Sequence, residues 1–184
     1  MERLVLVHGS VVGARMTWTV QQPLAERFEL VAVERPGFPP NPPADRVDFE
    51  RDAALVAELL EPGDHLVGHS YGGVISMLAA AQKPAAVRSL AVIEPPSTGV
   101  AEGNPAVDAF AAGGRTLYAA GARDDPEAFL RRFLRVVGSA LDPPSPLPPE
   151  LEQGARALQV ERGPWEAEIP LEELAAAPFP KLVF

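Results

Sequence analysis

A chain of 184 residues, 47% hydrophobic and 22% charged, is long enough for one domain with a sizeable core and has a globular composition. Its net charge of −9 argues against a nucleic-acid partner, whose phosphates call for a basic surface. With no cysteine, disulfides, thiolate chemistry and cysteine zinc clusters are excluded.

Leu4-Val5-Leu6-Val7 has the length and β-branched content of a buried parallel strand, and it ends in His8-Gly9. The apolar run before His8 is too short for a signal-peptide core. No window approaches the roughly 18 apolar residues of a membrane span. No membrane partner and a cytoplasmic location are therefore expected. Residues 18–28 can form a helix, with Pro23 as its weak point. Leu30 to Val33 is a second strand, stopped by Arg35-Pro36-Gly37, and residues 39–43 are a stiff Pro-rich loop. Phe49, Ala53, Val56 and Leu60 recur at helical spacing, so residues 46–61 read as an amphipathic helix. His65 to Gly68 is a third strand, Val74 to Ala81 a helix, and Leu90 to Ile93 a fourth strand closed by Pro95-Pro96.

This alternation predicts an α/β fold, a mostly parallel sheet with helices on both faces. Residues 97–178 hold helical segments broken by Gly and Pro. Asp125-Pro126-Glu127 has the form of a helix cap followed by proline at the first helical position. Residues 179–184 read as a fifth strand. The expected organisation is one domain over 1–184, about five strands, with a helical cap region at 97–178 inside it. No P-loop, G-x-G-x-x-G motif or metal-ligand cluster is present in the sequence, so neither cofactor nor metal is expected.

Chemistry concentrates at Gly68-His69-Ser70-Tyr71-Gly72, a G-x-S-x-G pattern between a predicted strand and a predicted helix. Such a turn forces strained backbone angles on the serine, and the glycines avoid clashes with the neighbouring strand and helix. The Ser70 hydroxyl then stands at the carboxyl edge of the sheet. The Tyr71 amide, opening the next helix, can donate to a developing oxyanion. A second donor is expected in the loop after His8-Gly9, from the amide of Ser10 or Val11.

Val5-Leu6-Val7-His8-Gly9-Ser10, the Glu34-Arg35-Pro36-Gly37 turn, Gly68 to Gly73 and Ile93-Glu94-Pro95 together resemble the α/β-hydrolase superfamily, small bacterial esterase-like members above all. The likeness covers residues 3–96 well, 97–178 only as a generic helical cap, and 179–184 as the next core strand. It implies a serine hydrolase acting on a small-molecule ester or related acyl substrate. Ser70 is then the nucleophile, Ser10 and Tyr71 supply oxyanion amides, and His8, Gly9, Gly68 and Gly72 support the elbow and the oxyanion loop. Glu94 stands where some members carry the triad acid.

In the superfamily the acid more often follows the strand equivalent to Lys181–Phe184, and the histidine comes one strand later. This sequence holds neither position, and so reads as a C-terminally truncated member lacking its own triad histidine. Of its three histidines, His69 is expected to leave the elbow on the far side from Ser70. His65 lies at the amino end of its strand. His8 is nearest, in a position that packs and orients the oxyanion loop. Two rival readings remain: a catalytically impaired pseudoenzyme or binding protein, and a haloperoxidase or hydroxynitrile lyase on the same fold. An exposed sheet edge at Leu182–Phe184 predicts self-association.

Overall fold

The computed structural model describes residues 1–121 and 125–184. Its sheet has five parallel strands, β1 (Glu2–Val7), β2 (Phe28–Val33), β3 (Asp64–His69), β4 (Val87–Ile93) and β5 (Lys181–Val183), in the order β2-β1-β3-β4-β5. The helices are α1 (Ala14–Thr17), α2 (Phe49–Leu59), α3 (Tyr71–Gln82), α4 (Pro105–Gly121), α5 (Pro126–Val136), α6 (Pro149–Gln159) and α7 (Leu171–Ala176). None of the described helices is long and apolar enough to cross a membrane.

Alternation along the strands sorts the two faces. Val5, Val7, Leu66, Leu90 and Val92 point to one face and pack against Phe49, Ala53 and Val56 of α2 and Val74 and Ile75 of α3. Leu4, Leu6 and Val67 point to the other, where Ala14 and Trp18 cover them. Helix α2 starts where the Asp48 carboxylate accepts the Glu50 amide at 3.0 Å. Helix α5 starts likewise, with Asp125 accepting the Ala128 amide at 3.0 Å and Pro126 at the first turn.

The helix expected over residues 18–28 is instead a 3-10 segment, Thr19–Glu26. Pro23 inside it has no amide to donate, and none of its residues is buried, so packing does not enforce the α form.

The strand order places a topological switch between β1 and β3. The chain leaves β1 toward β2 on one side and returns to β3 on the other. In open α/β sheets the crevice at the carboxyl ends of such neighbouring strands is where ligands bind. Beyond β4, helices α4 to α6 close around a separate cluster of Leu117, Phe129, Leu130, Leu134, Leu147, Ala155 and Leu158. From Ala167 onward the chain returns to the sheet: Ala167, Leu174 and Phe179 join the main core, and α7 packs on α3. Strand β5 forms one edge, with Leu182, Val183 and Phe184 all more than half exposed.

Candidate active site

Strand β3 ends at His69, and α3 begins at Tyr71, so Ser70 alone makes the turn. It does so at φ 53°, ψ −124°, backbone angles that cost a non-glycine residue about 1–3 kcal/mol. The turn is pinned on both sides: the Ser70 amide donates to Ile93 O at 2.8 Å, and Ser70 O accepts from the Gly73 amide at 2.7 Å. A side chain at Gly68 would strike Gly72 O and Ser76 Oγ. One at Gly72 would strike the carbonyl oxygens of Val7 and His8. Helix α3 thus lies directly against the end of β1. A Cβ on Gly9 would stand 2.9 Å from Ser70 Cβ. The loop at Gly9 and the Ser70 side chain thus approach each other closely across the switch point.

The loop after Gly9 has its own strain. The Val12 amide donates to Ser10 O at 3.0 Å, closing a three-residue turn with Val11 at φ 77°. A β-branched residue is an outlier at this angle. Ser10 Oγ donates to Glu161 Oε2 at 2.5 Å.

Beneath the loop lies a buried charge cluster. Arg35, 1% exposed, donates from Nε to Asp52 at 2.9 Å, from Nη2 to Glu161 at 3.0 Å, and from Nη1 to Gly9 O at 2.8 Å. Its guanidinium also stacks over the rings of Phe38 and Tyr71, at 4.8 and 4.6 Å. Burial pushes the Asp52 and Glu161 carboxyls up, and the Arg35 charge opposes that push. The Tyr71 ring is buried against Phe49, and its hydroxyl donates to Arg162 O at 2.9 Å. Burial raises the pKa of that phenol.

His8 is fully engaged. Nδ1 bonds Gly9 O at 2.8 Å, and Nε2 accepts the Arg35 amide at 3.2 Å. Burial, together with the nearby Arg35 charge, lowers its pKa to about 3. It is therefore neutral near pH 7 and has no free nitrogen to take a proton. His65 bonds Ser89 Oγ at 2.6 Å at the amino end of the sheet. His69 departs from expectation: its Nδ1 would lie 3.3 Å from a Gly9 Cβ, so the ring sits on the Gly9 side of the elbow. Strand alternation turns it to the face of Val67, and Gly9 leaves room there. Burial lowers the His69 pKa, and the charge of Glu94 raises it. Glu94 is exposed, at φ 48° just past β4, and its amide donates to Phe184 O at 3.0 Å. Among the described residues no hydrogen bond joins Ser70 Oγ to a histidine ring.

Arg35, Asp52 and Glu161 escape a reading of the sequence as site residues. The available signals are Arg35, within the Glu34-Arg35-Pro36-Gly37 turn, and Asp52, a charge beside Ala53 on the face of α2 that hydrophobic spacing marks as buried. Among the described residues no cluster of His, Asp and Glu could hold a metal ion. Two open clefts have linings that do not include Ser70. One, of about 390 Å³, includes Val12, Gly13 and Glu34; the other, of about 440 Å³, includes Thr98, Arg115 and Trp165.

A serine at a strained strand-to-helix turn, facing a His-Gly loop across the switch point of a parallel sheet, characterises one class of enzyme folds. The model of the alpha/beta hydrolase family matches residues 4–184, and the chain belongs to that family. Among curated proteins it is similar to the pimeloyl-[acyl-carrier protein] methyl ester esterase of Methylococcus capsulatus, 30% identical over 163 residues, 87% of this chain and 59% of that protein. The enzyme of the same name from Aeromonas hydrophila is 32% identical over 92 residues, 49% of this chain and 36% of that protein. The matched stretch is thus less than two thirds of either relative. Among solved structures, a carboxylesterase of Nitrososphaera gargenis superposes with a TM-score of 0.68 at 18% identity, over 99% of this chain and 71% of that one. That likeness is one of fold.

Proposed function

We propose that this protein hydrolyses carboxylic esters or related acyl groups of a small molecule, in the cytoplasm, with Ser70 as nucleophile. The observation that carries this reading is Ser70 at φ 53° between two glycines that admit no side chain, in contact with Gly9. Ser70 Oγ attacks the carbonyl carbon as its proton passes to a water molecule. The carbonyl oxygen becomes an oxyanion held by the Ser10 and Tyr71 amides. The alkoxide takes that proton back from the water as it leaves, and a second water adds to the acyl-Ser70 ester, releasing the carboxylic acid and restoring the Ser70 hydroxyl. His8, Gly9, Gly68 and Gly72 shape the two loops. Glu94, whose charge reaches His69, holds the acid position. In this reading none of His8, His65 and His69 is the general base. The names of the curated relatives support ester hydrolysis as the reaction class.

The test is a fluorophosphonate probe with wild type and Ser70→Ala, alongside turnover of a p-nitrophenyl ester. Labelling and turnover that vanish in Ser70→Ala support the reading; equal labelling of both proteins removes Ser70 as nucleophile. A second reading, a catalytically impaired relative that binds acyl compounds, draws on the lack of a histidine bonded to Ser70. It predicts ligand binding without turnover. Peroxide-dependent halogenation or cyanohydrin cleavage in the same assays would move the reaction class instead. The exposed β5 edge further predicts self-association, read as a concentration-dependent mass in sedimentation.

A further inference from the structure

We propose that Glu161, bridged to Arg35, is a positioning residue for the oxyanion loop, so that the segment after α6 sets the geometry opposite Ser70. This rests on the reading of Ser70 as nucleophile and of the Ser10 amide as an oxyanion donor.

The loop cannot hold its own shape. Val11 at φ 77° is β-branched in a left-handed conformation, and such a residue persists only where its surroundings over-determine it. Three contacts do so here. Arg35 Nη1 holds Gly9 O at 2.8 Å. Glu161 Oε2 holds Ser10 Oγ at 2.5 Å. Gly154 of α6 lies so close to Val11 O that no Cβ would fit between them. The first contact has a directional consequence. The Gly9–Ser10 peptide is planar and trans, so a carbonyl fixed toward Arg35 fixes the Ser10 N–H in the opposite direction. The second contact draws the Ser10 side chain to the same cluster. Arg35 Nη2 and Glu161 Oε1, at 3.0 Å, lock the two clamps together.

Glu161 is itself anchored. Its neighbours bond Val47 ahead of α2: the Val47 amide donates to Val160 O at 3.1 Å, and the Arg162 amide to Val47 O at 2.8 Å. The Tyr71 hydroxyl donates to Arg162 O at 2.9 Å. The residue that presents one oxyanion amide is thus held by a carboxylate 151 positions away, and the residue that presents the other bonds the next position along, Arg162.

The experiment measures fluorophosphonate labelling of Ser70 in the full chain, separating the maximal rate from the half-saturating probe concentration. Ser10→Ala keeps the amide but loses the bond to Glu161. The expected result is a maximal rate about tenfold lower at unchanged half-saturation, the loss of one hydrogen bond's worth of alignment. Ser10→Thr keeps a hydroxyl and should return to within about twofold of wild type. Glu161→Ala should match or exceed the loss in Ser10→Ala; should that variant fail to fold, the serine pair decides alone. Ser10→Ala at the wild-type maximal rate would overturn the proposal, as would a change confined to half-saturation. Wild type that is not labelled at Ser70 overturns the nucleophile reading first and the inference with it, an outcome distinct from labelled wild type with indifferent variants.

Discussion

The elbow at Ser70 and the helices that follow β4 are held in different ways. At the elbow the constraints are backbone and steric: Gly68 and Gly72 pack against carbonyl oxygens, and the amides on either side of Ser70 are bonded to β4 and to the first turn of α3. Helices α4 to α6 are held mainly by side chains, through an apolar cluster around Phe129, with one close backbone approach where Gly154 meets Val11 O, and the chain just past α6 is tied in by the Glu161–Arg35 ion pair. The two schemes fail differently. A backbone contact leaves no slack, whereas a side-chain cluster relaxes and loses part of its energy.

The sharpest way to break that contrast is Gly72→Val. Its side chain would enter the backbone of Val7 and His8, and we expect a chain that fails to fold or loses more than about 4 kcal/mol in urea unfolding. A variant near wild-type stability would show that α3 can move off β1. Next, Phe129→Ala empties a site that is 0% exposed and should cost roughly 3–5 kcal/mol in the cluster it occupies. Hydrogen exchange should then quicken across α4 to α6 and leave β1 and β3 protected; quickening throughout the sheet would mean that the two regions unfold as one.

A smaller effect follows from His8. Its pKa is lowered from 6.5 to about 3 in the folded protein, so below pH 6.5 the unfolded chain binds a proton that the folded one refuses. The contribution is intact above pH 6.5 and is lost as pH falls toward 3, at about 1.4 kcal/mol per pH unit. His8→Asn should remove that slope. Asp52 and Glu161 are raised by burial and act in the opposite sense, but they are common to both proteins and cancel in the difference. Equal slopes in urea titrations between pH 6.5 and 5 would contradict the buried neutral imidazole. The smallest effect is Arg15→Ala. It removes a 2.9 Å ion pair to Glu150 whose partners are 79% and 55% exposed, and the unfolding free energy should change by no more than about 0.5 kcal/mol in urea titration.

Much of the sheet end that carries Ser70 is legible in the sequence alone. Short apolar runs at Leu4, His65 and Leu90 mark interior strands, because burial on both faces favours hydrophobic sequence, and the run at Leu30 marks β2, an edge strand with no fully buried residue. The glycines around Ser70 mark the elbow, since only residues without a side chain fit there. Pro23 warned against the helix over 18–28, but only the structure showed that the segment buries nothing and so stays a 3-10 turn. The side of the elbow on which His69 lies was likewise not readable, because it depends on the empty space that Gly9 leaves on the neighbouring strand.

The sequence by itself therefore determined what is local: the strands, the alternation that makes the sheet parallel, and the strained turn at Ser70. These follow from periodicity and from steric exclusion between residues a few positions apart. Only the tertiary structure decided the partners of Arg35, which come from Gly9, Asp52 and Glu161, and the clamp of Glu161 on Ser10. Such contacts leave no pattern in the chain. An ion pair or a hydrogen bond needs complementary groups in proximity, and across 126 or 151 positions proximity is a property of the fold alone.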